Sequence, residues 1–378
     1  MTNQQRLEDL VARLQSLGGV DARSARRLLS AIDSARADGP QRDKPSVVMF
    51  DAKSYDRDAF ERANDDRLVI QPVEASLDAD TASAAAGADA VCLFVNDRCD
   101  APVVDALVEL GVGLVALRCA GYNNVDLAAC RDAGIDVVRV PAYSPHAVAE
   151  HTVALALMLN RRLHLAYLRN RTGAFVLDGL TGFDLHGKTA GVVGAGKIGR
   201  CVVRILSGFG CNVLAYDTQP DEAFASEHGA RYVDLPELLA NSDLVTLHLP
   251  LFKETHHLID ADAIASMKRG AMLINTSRGG LVDTRALIQG LKTGQVGAAG
   301  LDVYEEEAGI FFHDLSSQVL TDDVLGRLMS FNNVVVTSHQ AFLTHEALDA
   351  IASTTIDSVL EHAAGKRGQE LTHFVAAD

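Results

Sequence analysis

Residues 189–199 read Thr189-Ala190-Gly191-Val192-Val193-Gly194-Ala195-Gly196-Lys197-Ile198-Gly199: an apolar strand run, a complete G-x-G-x-x-G, then a helical stretch. The six-residue pattern alone is a weak signal. Its place between a strand and a helix gives it force, because each glycine then has a separate task. The first permits a tight turn, the second lets backbone amides approach a pyrophosphate, and the third packs the helix against the strand. A helix starting near Lys197 offers unpaired N–H groups and a partial positive charge to phosphates. The next strand run, Asn212–Tyr216, ends at Asp217, 18 residues beyond Gly199. A carboxylate there would accept both ribose hydroxyls of a dinucleotide and repel a 2′-phosphate, and neither Thr218 nor Gln219 supplies an arginine to welcome one. The expected cofactor is NAD.

The rest of the chain follows from that turn. Thr189–Val193, Asn212–Tyr216, Leu244–His248, Met272–Asn275, Val296–Val303 and Val334–Thr337 read as strands with helices between them, which predicts a doubly wound parallel sheet of six strands. An earlier series, Val47–Phe50, Asp89–Val95, Leu114–Arg118 and Ile135–Val140, alternates with helical stretches Pro102–Leu110 and Val125–Ala133 and predicts a second parallel sheet. One long helical segment, Ser144 to Arg171, should link them, and Thr344 to Gly365 reads as a final helix. Residues 1–44 stand apart. Leu7, Leu10, Val11, Leu14 and Leu17, then Ala25, Leu28, Leu29 and Ile32, repeat at helical spacing around Gly18-Gly19, which reads as a helical extension ending in a polar linker.

A length of 378 residues suits two domains, and 48% hydrophobic with 22% charged residues suits a globular chain. The net charge is −16, and the extension, with eight Lys/Arg against six Asp/Glu, leaves −18 on the remainder. That balance argues against nucleic-acid and anionic-membrane partners, which ask for a positive face. Attraction of an anionic ligand must then come from local positive groups. The longest apolar run, Val153–Leu159, is far short of the ~20 residues of a spanning helix. Six cysteines without a C-x-x-C pair, and an N-terminus without a charged-then-apolar leader, point to reduced thiols and the cytoplasm.

Three polar segments fall at the ends of later strands, where open α/β sheets bind ligands. They are Asn275-Thr276-Ser277-Arg278-Gly279-Gly280, Asp302-Val303-Tyr304-Glu305-Glu306-Glu307, and Thr337-Ser338-His339-Gln340. A 2-keto acid needs such a set: a planar guanidinium for its carboxylate and carbonyl, an imidazole to donate a proton to the carbonyl oxygen, and a carboxylate to hold the imidazole and favour its charged form. Taken singly, Arg278 reads as a surface charge, His339 as a satisfied polar residue and the glutamates as a solvated run. Their convergence is what argues for chemistry. His256-His257 and the His146/His151 pair lack metal spacing and read as surface or helix-packing residues, so no metal is expected.

These motifs resemble the D-isomer-specific 2-hydroxyacid dehydrogenase family, and within it the bacterial NAD-dependent D-lactate dehydrogenases. The likeness runs from about Val47 to the final helix. It rests also on Phe94–Asp97, Leu117–Leu127, Val138–Tyr143, Leu180–Phe183 and His339–Thr344. Residues 1–44 depart from the family, as does Ser338, commonly Pro or Gly there. The resemblance implies two doubly wound domains about a cleft: a flavodoxin-like substrate domain from residues 45–143 and 341–378, and a Rossmann NAD domain over 144–340. It implies Arg278, Glu307 and His339 as the catalytic trio, Glu307 because the family's acid lies five residues after the Asp of Asp302-Val303-Tyr304-Glu305. Gly194, Gly196, Lys197, Ile198, Gly199, Asp217, Leu249, Pro250, Thr255, Thr276, Ser277 and Asp302 are implied as NAD contacts. The N–H groups of Ala120 and Gly121 are implied to bind the substrate carboxylate, with Tyr143 and Phe342 closing the pocket. The implied reaction is the reversible reduction of pyruvate to D-lactate in a homo-oligomer (dimer or tetramer) built through the Ser144–Arg171 region. Two alternatives remain: a dehydrogenase for a larger 2-keto acid such as phenylpyruvate, or an NAD-sensing protein like the C-terminal-binding corepressors. A formate dehydrogenase is disfavoured, since that relative carries Gln where Glu307 stands.

Overall fold

The computed structural model describes residues 44–377, so the helical extension expected over residues 1–44 lies outside the described residues save for Lys44. Two parallel sheets organise what is described. The first contains β1 (Ser46–Met49), β2 (Val69–Pro72), β3 (Ala90–Leu93), β4 (Leu114–Leu117) and β5 (Asp136–Arg139) in the order β2-β1-β3-β4-β5. β1, β3 and β4 are buried at every residue, as a sheet covered by helices on both faces requires. The second contains β6 (Thr189–Val193), β7 (Asn212–Tyr216), β8 (Ala230–Tyr232), β9 (Leu244–Leu247), β10 (Ala271–Asn275), β11 (Val296–Leu301) and β12 (Val334–Val336) in the order β12-β11-β10-β9-β6-β7-β8. Winding reverses between β6 and β9, which opens a crevice at their C-terminal ends.

The chain returns to the first sheet at its C-terminal end. The helix His345–Ala363, started by the Thr344 hydroxyl accepting from Ala347 N–H (3.2 Å), buries Leu348, Ile351, Ile356 and Val359 in the core of the first sheet. Each such burial stabilises by about 1.5–3 kcal/mol. Beyond it, Arg139 N–H donates to His373 O (3.1 Å) and Val375 N–H to Val137 O (2.8 Å). Part of the acidic excess is structural. Asp100, Asp126, Asp221, Asp260, Asp283 and Asp322 each cap a helix by accepting a first-turn N–H, as the macrodipole favours.

The structure departs from the sequence expectation in three places. The second sheet has seven strands rather than six, because β8 is three residues long and carries no apolar run. The first sheet has an unforeseen edge strand, β2, which is largely exposed and ends in Pro72, a residue tolerated at an edge. The segment Ser144–Arg171 is two helices, Pro145–Asn160 and Leu163–Arg171, broken where Arg162 adopts a left-handed φ of +51°. At the end of the first helix the Asn160 amide holds the returning chain, donating to Phe183 O (2.7 Å) and accepting from Phe183 N–H (2.9 Å). The first of these helices is the buried one; the second buries no residue.

Candidate active site

The glycine turn shows three distinct constraints. Gly194 has φ +94°, and a Cβ there would stand 2.7 Å from His248 O. A Cβ on Gly199 would stand 1.9 Å from Gly194 O, so the helix Lys197–Gly208 lies directly on the turn. Gly196, at that helix's N-terminus, has nothing within 4 Å of its would-be Cβ, which leaves open space before the amides that a pyrophosphate needs. Asp217, at the end of β7, accepts from Ala195 N–H (2.7 Å) and Gln219 N–H (2.9 Å), which holds its carboxylate beside the turn. A dinucleotide fits this cradle.

The neighbouring loops are stitched together by the residues expected to border the cofactor. Ser277 Oγ donates to Leu249 O (2.5 Å), and Thr255 Oγ1 donates to Pro250 O (2.8 Å) while accepting from Phe252 N–H (2.8 Å). The Thr276 hydroxyl pairs with that of Thr152 (2.7 Å) on the helix Pro145–Asn160. Sequence reasoning missed His248, which follows β9. Burial pushes this imidazole down to about 3, and neither ring nitrogen has a partner, so it is neutral.

A cavity of about 310 Å³ brings together Arg278, Glu307 and His339 from the second sheet with Ala120, Gly121, Tyr143 and Phe342. Of the three consecutive glutamates it is Glu307 that meets the imidazole, with Oε1 2.8 Å from His339 Nδ1, while its Oε2 accepts from Tyr304 N–H (3.1 Å). Glu305 instead meets His257 Nε2 (2.5 Å), and Glu306 is exposed. With Nδ1 engaged, Nε2 is the nitrogen left for a ligand. Arg278 is oriented by its own loop, Nη1 donating to Ser277 O (2.7 Å) and Asn275 Nδ2 donating to Arg278 O (2.8 Å). Its Nη2 lies 3.3 Å from where a Gly121 Cβ would be, so a side chain there would crowd the guanidinium. The N–H groups of Ala120 and Gly121 donate to no other group among the described residues. Arg139 Nη1 donates to Ala120 O (2.8 Å), which fixes the plane of the peptide carrying the Gly121 N–H.

Phe94, Phe342 and Tyr143 form the apolar wall, with ring centroids 6.0 and 6.1 Å apart. Burial raises the Tyr143 phenol, against the pull of Arg278. Cys119 also lines the cavity, and burial pushes its thiol up to about 11, so it offers no thiolate nucleophile. Arg118 was not singled out from sequence, although it stands in a stretch that was. It is fully buried, donates to Asp51 O (2.8 Å) and lies 4.9 Å from the centre of the Phe94 ring, so it braces the wall.

Asp302, expected at the cofactor, is fully buried, and its carboxylate organises the histidine loop. It accepts from Thr337 Oγ1 (2.5 Å), Gln340 N–H (2.9 Å) and Ala341 N–H (2.9 Å), with His151 Nε2 at 3.4 Å, while its backbone oxygen accepts from His339 N–H (2.7 Å). Burial pushes its carboxyl up, but the bonds from His151, Thr337 and Ala341 prevail and hold it below the ordinary 3.8. A depressed carboxylate contributes stability that is full above its unfolded pKa and is lost as pH falls through the folded one. Asp302→Asn is therefore expected to cost about 1–3 kcal/mol near neutrality and to flatten the loss of stability below about pH 4. Melting temperature against pH for both proteins checks this; parallel acid limbs would show that Asp302 is not the titrating anchor.

A dinucleotide turn opposite a guanidinium and a carboxylate-held imidazole defines an NAD-dependent oxidoreductase. The profile described as "D-isomer specific 2-hydroxyacid dehydrogenase, NAD binding domain" matches residues 153–341. A 2-hydroxyacid dehydrogenase homolog of Schizosaccharomyces pombe is 50% identical over 319 residues, 84% of this chain and 96% of that one. The D-lactate dehydrogenase of Escherichia coli is 48% identical over 314 residues, 83% of this chain and 95% of its own. The solved apo-structure of D-lactate dehydrogenase from Escherichia coli superposes with a TM-score of 0.81 at 44% identity, covering 88% of this chain and all of that one. The chain belongs to the D-isomer-specific 2-hydroxyacid dehydrogenase family.

Proposed function

We propose that the chain reduces pyruvate reversibly to D-lactate with NADH. The observation that carries this reading is the cleft in which the His339–Glu307 pair, Arg278 and the two uncommitted N–H groups of Ala120 and Gly121 meet. Gly194, Gly196, Lys197, Ile198 and Gly199 would hold the cofactor's pyrophosphate and Asp217 its ribose, with Leu249, Pro250, Thr255, Thr276 and Ser277 along its edge. When bound, NADH supplies the hydride for the carbonyl carbon.

The chain's own groups do the rest. The Ala120 and Gly121 amides hold the substrate carboxylate with Arg278, whose fork also polarises the carbonyl, so charge developing on oxygen meets a fixed cation. His339 donates the proton from Nε2 to that oxygen while Glu307 holds Nδ1, and in the reverse direction the neutral ring removes it. Phe94, Tyr143 and Phe342 exclude water and favour a small side chain on the 2-keto acid. Residues 45–143 with 341–378 act as the substrate domain and 144–340 as the cofactor domain, supported by the separate cores about the two sheets.

A homo-oligomer is supported by exposed apolar residues close together in the chain, Tyr167, Leu168, Phe175, Val176 and Leu177, each 57–80% accessible, the kind of surface that marks a protein contact. Six unpaired, buried thiols support the cytoplasm. Among the described residues no helix is long and apolar enough to cross a membrane.

Oxidation of NADH in the presence of pyruvate, phenylpyruvate or 2-ketoisocaproate, with the product resolved into D and L forms, tests the proposal. Pyruvate should give the highest kcat/KM and D-lactate alone. Preference for a larger keto acid would move the substrate assignment, and absence of turnover would favour an NAD-sensing role. Asp217→Ala is expected to weaken NADH and relax discrimination against NADPH, read as the ratio of the two kcat/KM values. An unchanged ratio would mean the ribose is recognised elsewhere.

A further inference from the structure

Outside the cleft, one cluster of metal-ligating side chains forms among the described residues. His256, His257 and Glu305 each bring one ligand atom to within 4.8 Å of the other two. The arrangement is built rather than accidental. His257 adopts a left-handed φ of +52°, its N–H donates to Gly280 O (2.8 Å), and its Nε2 lies 2.5 Å from Glu305 Oε1. The other carboxylate oxygen of Glu305 accepts from the Thr284 hydroxyl (3.0 Å), the kind of outer contact that orients a metal-bound carboxylate. No Lys or Arg pairs with Glu305 among the described residues. The His256 ring stacks on that of His257 with centroids 3.9 Å apart, makes no side-chain hydrogen bond and is exposed. The pairing of His257 with Glu305 was foreseeable neither from spacing nor from composition, since 48 residues separate them.

We propose that His256, His257 and Glu305 form a binding site for a divalent transition cation of the zinc class. Two imidazole nitrogens and one carboxylate oxygen make a three-ligand set that suits zinc, with a solvent molecule completing the tetrahedron on the exposed side. Magnesium and calcium require mostly oxygen ligands and are poorly served. With metal–ligand bonds of about 2.0–2.2 Å, tetrahedral ligand atoms stand about 3.4 Å apart. The His257–Glu305 contact thus opens by under about 1 Å, and the exposed His256 ring swings out of its stack on His257 to bring its nitrogen closer by up to about 1.4 Å. The cation ties the 250–258 connection to the strand-end loop that carries Glu307 two residues further on.

Titration calorimetry of zinc chloride into the full-length, chelator-treated protein in a non-chelating buffer tests this, with the His256→Ala variant alongside. Wild type should bind zinc and not magnesium, and its melting temperature should rise by about 2 °C or more at saturation. His256→Ala should lose at least about tenfold in zinc affinity, while keeping wild-type turnover of NADH and pyruvate in metal-free buffer. The zinc absorption edge of the wild-type complex should report two histidine nitrogens and one carboxylate oxygen. Equal zinc affinity in the two proteins, or no zinc uptake by wild type, would overturn the site. Neither readout depends on which 2-keto acid is the substrate.

Discussion

His339→Gln is expected to lower kcat by about 10²–10⁴-fold while NADH still binds, because a positioned acid is worth about that much. The loss corresponds to about 3–5 kcal/mol of barrier. Glu307 occupies Nδ1 at 2.8 Å, so removing the ring removes both the proton donor and the partner that keeps the carboxylate in place. Backbone strain has to be separated from chemistry here, since His339 sits at φ +52°, a conformation open to His and Asn but strained for most residues. His339→Asn tolerates that backbone and should lose comparable activity. If the Asn variant turned over at nearly the wild-type rate while the Gln variant did not, the defect would be conformational and the imidazole would not be the acid. Pre-steady-state reduction of pyruvate, with NADH affinity measured separately, distinguishes these outcomes.

The parts of this molecule that the sequence made legible are those where one local pattern has one physical cause. An apolar run followed by G-x-G-x-x-G can serve few ends besides a nucleotide turn, and the close approaches at Gly194 and Gly199 are the steric reason. Buried central strands announce themselves as unbroken apolar runs. Two of the four edge strands do not: β8 and β2 are short and partly polar, so tertiary pairing rather than composition makes them strands. The break after Asn160 was hidden because no Gly or Pro marks it, and the segment that Asn160 holds, at Phe183, lies 23 residues downstream. Within the site, Arg278 and His339 could be named because strand ends gather polar loops, whereas Glu307 was separated from Glu305 and Glu306 only by the family resemblance. That Asp302 anchors the loop of Thr337–Ala341 was not legible, because nothing local shows that a carboxylate after a strand turns inward. His151, read as a packing residue, sits against that same carboxylate.

Arg278→Lys keeps the charge and discards the geometry, and it is expected to lower kcat/KM for pyruvate by about 10²–10³-fold, the scale seen when one donor to a developing oxyanion is removed. The reason lies in how the guanidinium is used. Nη1 is spent on Ser277 O at 2.7 Å, which locks the fork in place, and Nη2 projects past Gly121, where no side chain intrudes. A lysine ammonium is a compact point charge that cannot hold the Ser277 carbonyl and face two substrate oxygens at once. The loss should appear in both KM and kcat, because the carboxylate is bound in the ground state whereas the carbonyl oxygen gains charge only in the transition state. NADH affinity should stay within about threefold of wild type, since the proposed role sets the guanidinium on the substrate and not on the dinucleotide. An unchanged kcat/KM would remove Arg278 from the clamp. A collapse of NADH binding would instead reassign it to the support of the Ser277–Leu249 contact, leaving the amides of Ala120 and Gly121 as the principal holders of the substrate carboxylate.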